Sequence, residues 1–412
     1  MAQPRKVLFI EHAASLGGAV RSLLYSMQSL DRRRYVPLVA CAGGGMLVTD
    51  FYRQQGFEAF SCPDIGLLPH TTGGWFSLRS PRATARFTMI AARIAVGIQA
   101  TKQVVEKVKP DLVHLNSVVL IPSAIGLAQA RVPFVWHVRE SVVAGHLGLR
   151  RALIRKMLME LPDEVIFISA DERRRLLDDA RGIVIPDFVD LARFDRSIDG
   201  LEFRARLGLS HDAQVVLILG GLLRIKGGTV LLEAMSRLHQ RFPKAHLVMA
   251  SGIAPMSTRL DARIGRIVLP LLGHPTDRQR AMRIIQRHRM EPYVHLLPYT
   301  EEVEKLIAAS DVVVFPSIEP HNARPVPEAG AMGKPVVGSR IGGVEELVED
   351  NVTGILTPPG DVEALAGALS RILGDPALAR QMGEAGYRRA SQQYSAGLNT
   401  RRMLEVYDRL TA

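Results

Sequence analysis

The chain has 412 residues, is 47% hydrophobic, and carries 52 Lys and Arg against 41 Asp and Glu, a formal net charge of +11. That length exceeds one ordinary core and predicts two domains. Only two cysteines, Cys41 and Cys62, are present, which excludes a disulfide scaffold or a cysteine-rich zinc site and predicts small core thiols in a reducing compartment.

The charge calls for an anionic partner: nucleic acid, a membrane surface or a phosphorylated substrate. The first 190 residues carry 24 Lys+Arg against 17 Asp+Glu, an excess of +7, and the rest 28 against 24, an excess of +4. No zinc-finger spacing or RNP-like aromatic motif occurs, so nucleic acid is not the expected partner.

The opening "MAQPRKVLFIEH" runs into a strand without the apolar stretch of a signal peptide, so no export is expected. His114, Asn116 and Pro122 interrupt the most apolar stretch before it reaches spanning length. The expectation is a cytoplasmic protein.

Taken along the chain, short apolar runs alternate with longer helical patterns, the signature of parallel α/β layers. Strands are predicted at Lys6–Ile10, Val36–Ala40, Asp111–Leu115, Pro133–His137 and Glu164–Ile168. In the second half they fall at Val215–Leu219, Ala245–Ala250, Tyr293–Leu296, Asp311–Phe315 and Pro335–Gly338.

Each half opens alike, "KVLFIEHAASLGGAVRSLLYSM" and "VVLILGGLLRIKGGTVLLEAM", as strand, loop with a glycine pair, then amphipathic helix. Two Rossmann-like domains side by side give this pattern, with ligands held between them at the C-terminal strand ends. The seam is expected within Ile185–Asp195, giving domains 1–190 and 191–390 and a C-terminal helix, 391–412, that packs back on the first domain.

Between the second and third predicted strands, Ser80-Pro81 reads as the start of a long helix through about Lys109. At 100° per residue, Arg82, Arg86, Arg93 and Lys107 fall within roughly 60° of one another on it. Beside "FTMIAARIAVGI" that stripe suits peripheral docking on anionic lipid.

The chemistry-bearing residues concentrate after two strands of the second half. In "LGGLLRIKGGTVLLEA", Arg224 and Lys226 precede Gly227-Gly228 and a helix N-terminus, a combination suited to an anion such as a diphosphate. In "PSIEPHNARPVPEAGAMG", Glu319 and Glu328 follow the apolar Val312–Phe315, where a carboxylate points into a crevice rather than packing. Glu328 can accept from a ribose diol and Glu319 can reach a sugar hydroxyl.

These motifs resemble those of the large GT-B glycosyltransferase group called family 4, the retaining glycosyl transferases group 1. The resemblance rests on Lys226-Gly227, Pro316-Ser317-Ile318-Glu319, "EAGAMGKPVVGSRIGGVEELVEDNVTGIL" and "PPGD". It implies two Rossmann-like domains facing each other across a cleft, a nucleotide-sugar donor, and a lipid-linked or polysaccharide acceptor.

By position, the resemblance implies that Lys226 binds the diphosphate beside Gly227, Glu319 faces the donor sugar, and Glu328 holds the ribose. Gly17-Gly18 would let backbone approach the donor phosphate or acceptor. His137 in "VWHVRE" would line the reaction centre, and Glu140 would lie on the acceptor side. Two departures stand out. One extra residue separates Glu319 from Glu328, which predicts a bulge at His321-Asn322-Ala323 that brings Asn322 and Ala323 to the donor. Gly221 occupies the place of the family's arginine, leaving Arg224 as the second charge.

The sequence contains no Asp-x-Asp, so transfer without a metal or other cofactor is expected, with Lys and Arg charge on the leaving diphosphate. The altered positions keep two alternatives open, a non-catalytic sugar-nucleotide-binding subunit and a sugar-nucleotide epimerase of the same fold. A nicotinamide dehydrogenase is disfavoured, because Gly43-Gly44-Gly45 lacks the dinucleotide glycine pattern.

Overall fold

A computed structural model describes residues 3–43, 46–68, 88–89, 91–250, 276–298, 300–320 and 323–412. The chain divides into two compact units, Met1–Phe188 with Ala396–Ala412, and Val189–Ser395.

The first unit is built on strands β1 (Arg5–Glu11), β2 (Tyr35–Cys41), β3 (Glu58–Ser61), β4 (Leu112–Leu115), β5 (Phe134–Val138), β6 (Glu164–Phe167) and β7 (Ile183–Val184). They form one parallel sheet in the order β3-β2-β1-β4-β5-β6-β7. Runs such as Val7–Ile10 and Phe134–Trp136 are apolar without alternation because both faces of a parallel sheet are covered. The strand order reverses between β1 and β4, which opens a crevice outside their carboxyl ends.

The second unit repeats the plan with β8 (Gln214–Leu219), β9 (Ala245–Ala250), β10 (Val294–Leu297), β11 (Val312–Phe315), β12 (Val336–Ser339) and β13 (Gly354–Thr357), in the order β10-β9-β8-β11-β12-β13. Its reversal lies between β8 and β11. The ten strands expected from the sequence are present within a residue or two of their ends. β3, β7 and β13 were not foreseen: "EAFS", "IV" and "GILT" at the sheet edges are too short to carry a period.

The passage between units is fixed by Val189, whose N–H donates to Tyr394 O at 2.8 Å and which pairs with Ser395. The second unit therefore begins and ends there, so the boundaries fall at 188/189 and 395/396 rather than at 190 and 390. The terminal segment is two helices, Pro376–Gln393 in the second unit and Ala396–Leu410 in the first. Met403, Val406 and Tyr407 of the latter are buried with Phe9, Tyr35 and Val39.

Of the helix expected from Ser80 to about Lys109, the described residues are helical at 88–89, 91–92 and Ile94–Val108, with a turn at Arg93 and a stop at Lys109, φ 49°; residues 80–87 lie outside the described residues. Arg93 is largely exposed and 3.9 Å from Asp64; Arg82 and Arg86 lie outside the described residues. Cys41 and Cys62 are free thiols, and burial pushes each up to about 11.

Candidate active site

In the second unit the carboxyl ends of β8 and β11 carry the predicted residues. After β8 the chain makes a single tight turn, Arg224–Lys226, then enters the helix Gly228–Leu238 through Gly227. Gly227 has φ +74°, and a Cβ there would stand 1.8 Å from Pro316 O; one on Gly228 would stand 1.7 Å from Gly221 O. The glycine pair, read from the sequence as room for a phosphate, is required first by backbone packing against backbone.

The loop after β11 is tied to that turn. Ser317 Oγ lies 2.7 Å from Ile225 O and 2.9 Å from Glu319 O, and Ile318 N–H donates to Ile225 O at 2.9 Å. Pro316-Ser317 thus sets the distance between the cationic turn and Glu319. The signal for it, a serine beside the glutamate, was in the motif.

Lys226 folds back so that its Nζ would lie 2.5 Å from a Cβ on Gly220. Burial lowers its pKa, and no ion pair engages it among the described residues. Arg224 is open: its guanidinium is 3.9 Å from Glu319, both side chains 56% exposed. Its backbone N–H donates to Asp277 at 3.0 Å.

Glu328, in the first turn of the helix Pro325–Ala331, is buried. Its Oε1 accepts from Arg324 Nε at 3.0 Å and Nη2 at 2.5 Å. The sequence reading missed Arg324, although the (i, i+4) spacing announces the pair. Ala323 turns its methyl into the core, leaving only backbone for a ligand; Asn322 lies outside the described residues.

In the first unit a buried polar network fills the carboxyl ends of β1, β4 and β5. Glu11, fully buried, accepts from Ala13 N–H at 2.8 Å and Asn116 Nδ2 at 2.6 Å, and His12 Nδ1 is 3.1 Å away. Burial alone would raise its pKa, but the His12 hydrogen bond and charge and the other donors bring it below the usual value. His12 moves the other way, its burial outweighed by Glu11.

Asn116 Oδ1 accepts from Arg139 Nη1 at 3.3 Å, and the same guanidinium pairs with Asp187, both side chains buried. His137, 4% exposed, sits among them with its Nδ1 3.1 Å from His114 Nε2. Burial, then the Arg139 and His114 charges, holds His137 well below its ordinary pKa, so it stays neutral. Its Nε2 is buried and has no hydrogen-bond partner among the described residues.

Glu140 is committed to its own unit. It accepts from Ser117 Oγ and, at 3.1 Å, from Val118 N–H. Gly17 and Gly18 open the helix Gly18–Gln28, and a Cβ on Gly17 would meet nothing closer than Ser15 O at 4.0 Å. Unlike Gly227, Gly17 is not forced by packing. Glu11, Asn116, Arg139, Asp187, His114 and Tyr407 were not foreseen; only Glu11, a carboxylate closing an apolar strand, carried a readable signal.

Two doubly wound parallel sheets, each with its polar residues gathered at the carboxyl ends beside the reversal, are the two Rossmann-like units of the GT-B fold. Family models agree: Glycosyltransferase Family 4 matches residues 16–193 and Glycosyl transferases group 1 matches residues 200–389. The chain belongs to this glycosyltransferase family.

Among curated relatives, the D-inositol 3-phosphate glycosyltransferase of Kineococcus radiotolerans is 29% identical over 278 residues, 63% of this chain and 60% of its own length. That of Geodermatophilus obscurus is 30% identical over 256 residues, 60% of this chain and 52% of its own. The chain thus spans a little over half the length of these relatives.

Solved structures align over nearly the whole chain. A glycosyltransferase from Rickettsia africae superposes with a TM-score of 0.77 at 19% identity, covering 99% of both chains. HepE of Anabaena, solved with UDP and glucose, gives 0.76 at 21% identity, covering 98% of this chain and 99% of its own. At these identities the likeness is one of fold. No helix among the described residues is long and apolar enough to cross a membrane.

Proposed function

We propose that this protein transfers a sugar from a nucleoside-diphosphate sugar to a hydroxyl of a lipid-linked or polysaccharide acceptor, without a metal ion and with retention at the anomeric carbon. The observation that carries the reading is Lys226. It is a half-buried ammonium group at the reversal of the second sheet, its pKa lowered by burial, with no carboxylate paired to it among the described residues. An unpaired cation in such a place is costly unless an anionic ligand completes it.

As the bond from the anomeric carbon to the diphosphate breaks, charge grows on the leaving phosphate. Lys226 and, from the rim, Arg224 are the groups that would stabilise it. Glu328 would accept from the ribose diol through Oε2, since Arg324 occupies Oε1. Glu319 and the neutral His137 would meet the transferred sugar. HepE, solved with UDP and glucose, makes UDP the first nucleotide to test.

The relatives' name favours a second acceptor, a phosphorylated cyclitol, and the +11 net charge suits an anion of either kind. Peripheral membrane docking through Arg82, Arg86 and Arg93 belongs to the lipid-linked case alone. Binding to anionic vesicles at low salt is its test, and a protein that ignores them removes it.

The decisive experiment is a thermal-shift titration with UDP, GDP and ADP, since a ligand of the folded state raises stability as RT ln(1 + [L]/Kd). One diphosphate should raise the melting temperature, and Lys226→Met should abolish the rise. No response to any of them would sink the donor assignment. Release of that diphosphate only when acceptor is added separates transfer from epimerisation and from mere binding, and EDTA should not slow it.

A further inference from the structure

Three rings from distant parts of the chain stand in line within the first unit. Tyr407 Oη is 2.7 Å from His114 Nδ1, and His114 Nε2 is 3.1 Å from His137 Nδ1. Arg139 Nη1 is 3.5 Å from the same His137 nitrogen. All three rings are buried. The line ends on His137 Nε2, the buried atom without a partner among the described residues.

The donor inventory orders the protons. A guanidinium can only donate, so Arg139 Nη1, at 3.5 Å, favours His137 Nδ1 as an acceptor, and a Tyr407 hydroxyl donating to His114 Nδ1 at 2.7 Å sets the same order from the other end of the line. His114 Nε2 therefore carries the proton between the rings. A neutral imidazole has one N–H, which leaves His114 Nδ1 as an acceptor and makes the Tyr407 hydroxyl its donor. The single proton of His137 then falls on Nε2. The reverse order would aim an N–H of His137 at an N–H of Arg139.

Other contacts hold this order in place. Arg139 is fixed by Asp187 and by Asn116, itself bonded to Glu11. Tyr407 packs edge-on to Tyr35 and Phe9 at 6.0 and 6.5 Å between centroids. Burial, then the Arg139 charge, lowers His114 to about 3, and burial keeps the Tyr407 hydroxyl protonated.

We infer that Tyr407 and His114 are positioning residues that fix His137 as an Nε2–H donor for an acceptor oxygen of the transferred sugar. The ligand half of this rests on the assignment of His137 proposed above. A buried N–H without a partner is unfavourable until some oxygen meets it, and the fold leaves this one unpaired among the described residues after satisfying the nitrogen opposite.

The test is a nitrogen-15 spectrum of the histidine side chains in the full chain, with transfer kinetics beside it. His137 should show a pyrrole-like Nε2 and a pyridine-like Nδ1. Tyr407→Phe should mix the two tautomers of His137 and lower kcat by about ten- to a hundredfold, as for other groups that orient an imidazole, with nucleotide affinity unchanged. A proton on Nδ1 of His137 in the wild type overturns the inference whatever the kinetics. So does a folded Tyr407→Phe with an unaltered spectrum and unaltered kcat.

Should Tyr407→Phe not fold, His114→Gln and His114→Leu supply the same comparison. Gln keeps an N–H for His137 Nδ1 and should keep the tautomer, whereas Leu should lose it; identical spectra overturn the proposal. If the spectrum is as expected but His137→Leu transfers sugar at the wild-type rate, the assignment of His137 to the sugar has failed, and the ligand half with it. The proton order is judged by the spectrum alone.

Discussion

The two units solve opposite problems at the same place in the same fold. In the first, the polar groups beyond β1, β4 and β5 close on one another: Glu11 on Asn116, Asn116 on Arg139, Arg139 on Asp187, Glu140 on the Ser117-Val118 turn. In the second, Lys226 has no ion-pair partner among the described residues, Glu328 is paired with Arg324, and Arg224 and Glu319 lie exposed 3.9 Å apart. A site whose charges are satisfied internally is preorganised, and mutation there is felt as lost stability. One whose charges are withheld is felt through its ligand.

The largest expected effect therefore lies in the first unit. Arg139→Met leaves Asp187 buried without its cation and Asn116 Oδ1 without a donor, and should cost about 3–5 kcal/mol in urea unfolding. Trp136, and the chain's other tryptophan, Trp75, fall in the first unit's sequence, so fluorescence reads that unit. Adding Asp187→Leu should recover much of the loss. A mild Arg139→Met would mean that the network carries little of the fold.

Lys226→Met should do the reverse. Transfer should fall about 10²–10³-fold, while the melting temperature without ligand holds or rises, because a desolvated cation has been removed. Parallel losses of activity and stability would return Lys226 to a structural part.

Acid separates the units less sharply. His114 and His137 are neutral in the native state, with pKa values below the unfolded value of about 6.5. The unfolded chain binds protons that the native one refuses, so stability falls as pH drops below about 6.5, toward about 3 for His114. Each contributes a slope of up to about 1.4 kcal/mol per pH unit. Glu11, with its pKa lowered, loses its contribution only as pH falls through the carboxylate range. His12, with its pKa raised, contributes below about 6.5 and loses that contribution as pH rises through its native value. The fluorescence-detected urea midpoint should drop between pH 7 and 5. A flat midpoint would mean that both rings accept protons in place.

What the sequence made legible follows the same division. The apolar runs of the central strands and the residues after β8 and β11 lie in short stretches whose spacing has local meaning. The network of the first unit does not: Asn116 meets Glu11 across 105 positions and Tyr407 meets His114 across 293. No periodicity joins them; the order of the strands and the packing of the last helix on them do. Gly227 shows a third case, in which the residue was readable but its reason was not. The atom that forbids a side chain there, Pro316 O, arrives from another strand end.

The smallest expected effect tests the open side of the comparison. Arg224 and Glu319 are each 56% exposed and separated by 3.9 Å, a geometry worth within about 0.5 kcal/mol in water. Arg224→Gln and Glu319→Gln should thus leave the urea midpoint almost unmoved, singly and together, with no coupling between them in a double-mutant cycle. In transfer they should part company. Glu319→Gln removes a group assigned to the sugar and should lower kcat. Arg224→Gln removes one assigned to the diphosphate and should weaken nucleotide binding, more so at low salt, because a charge at the rim acts through water. Strong coupling in stability would show that the two were holding each other rather than waiting for a ligand, and the contrast between the units would lose its second half.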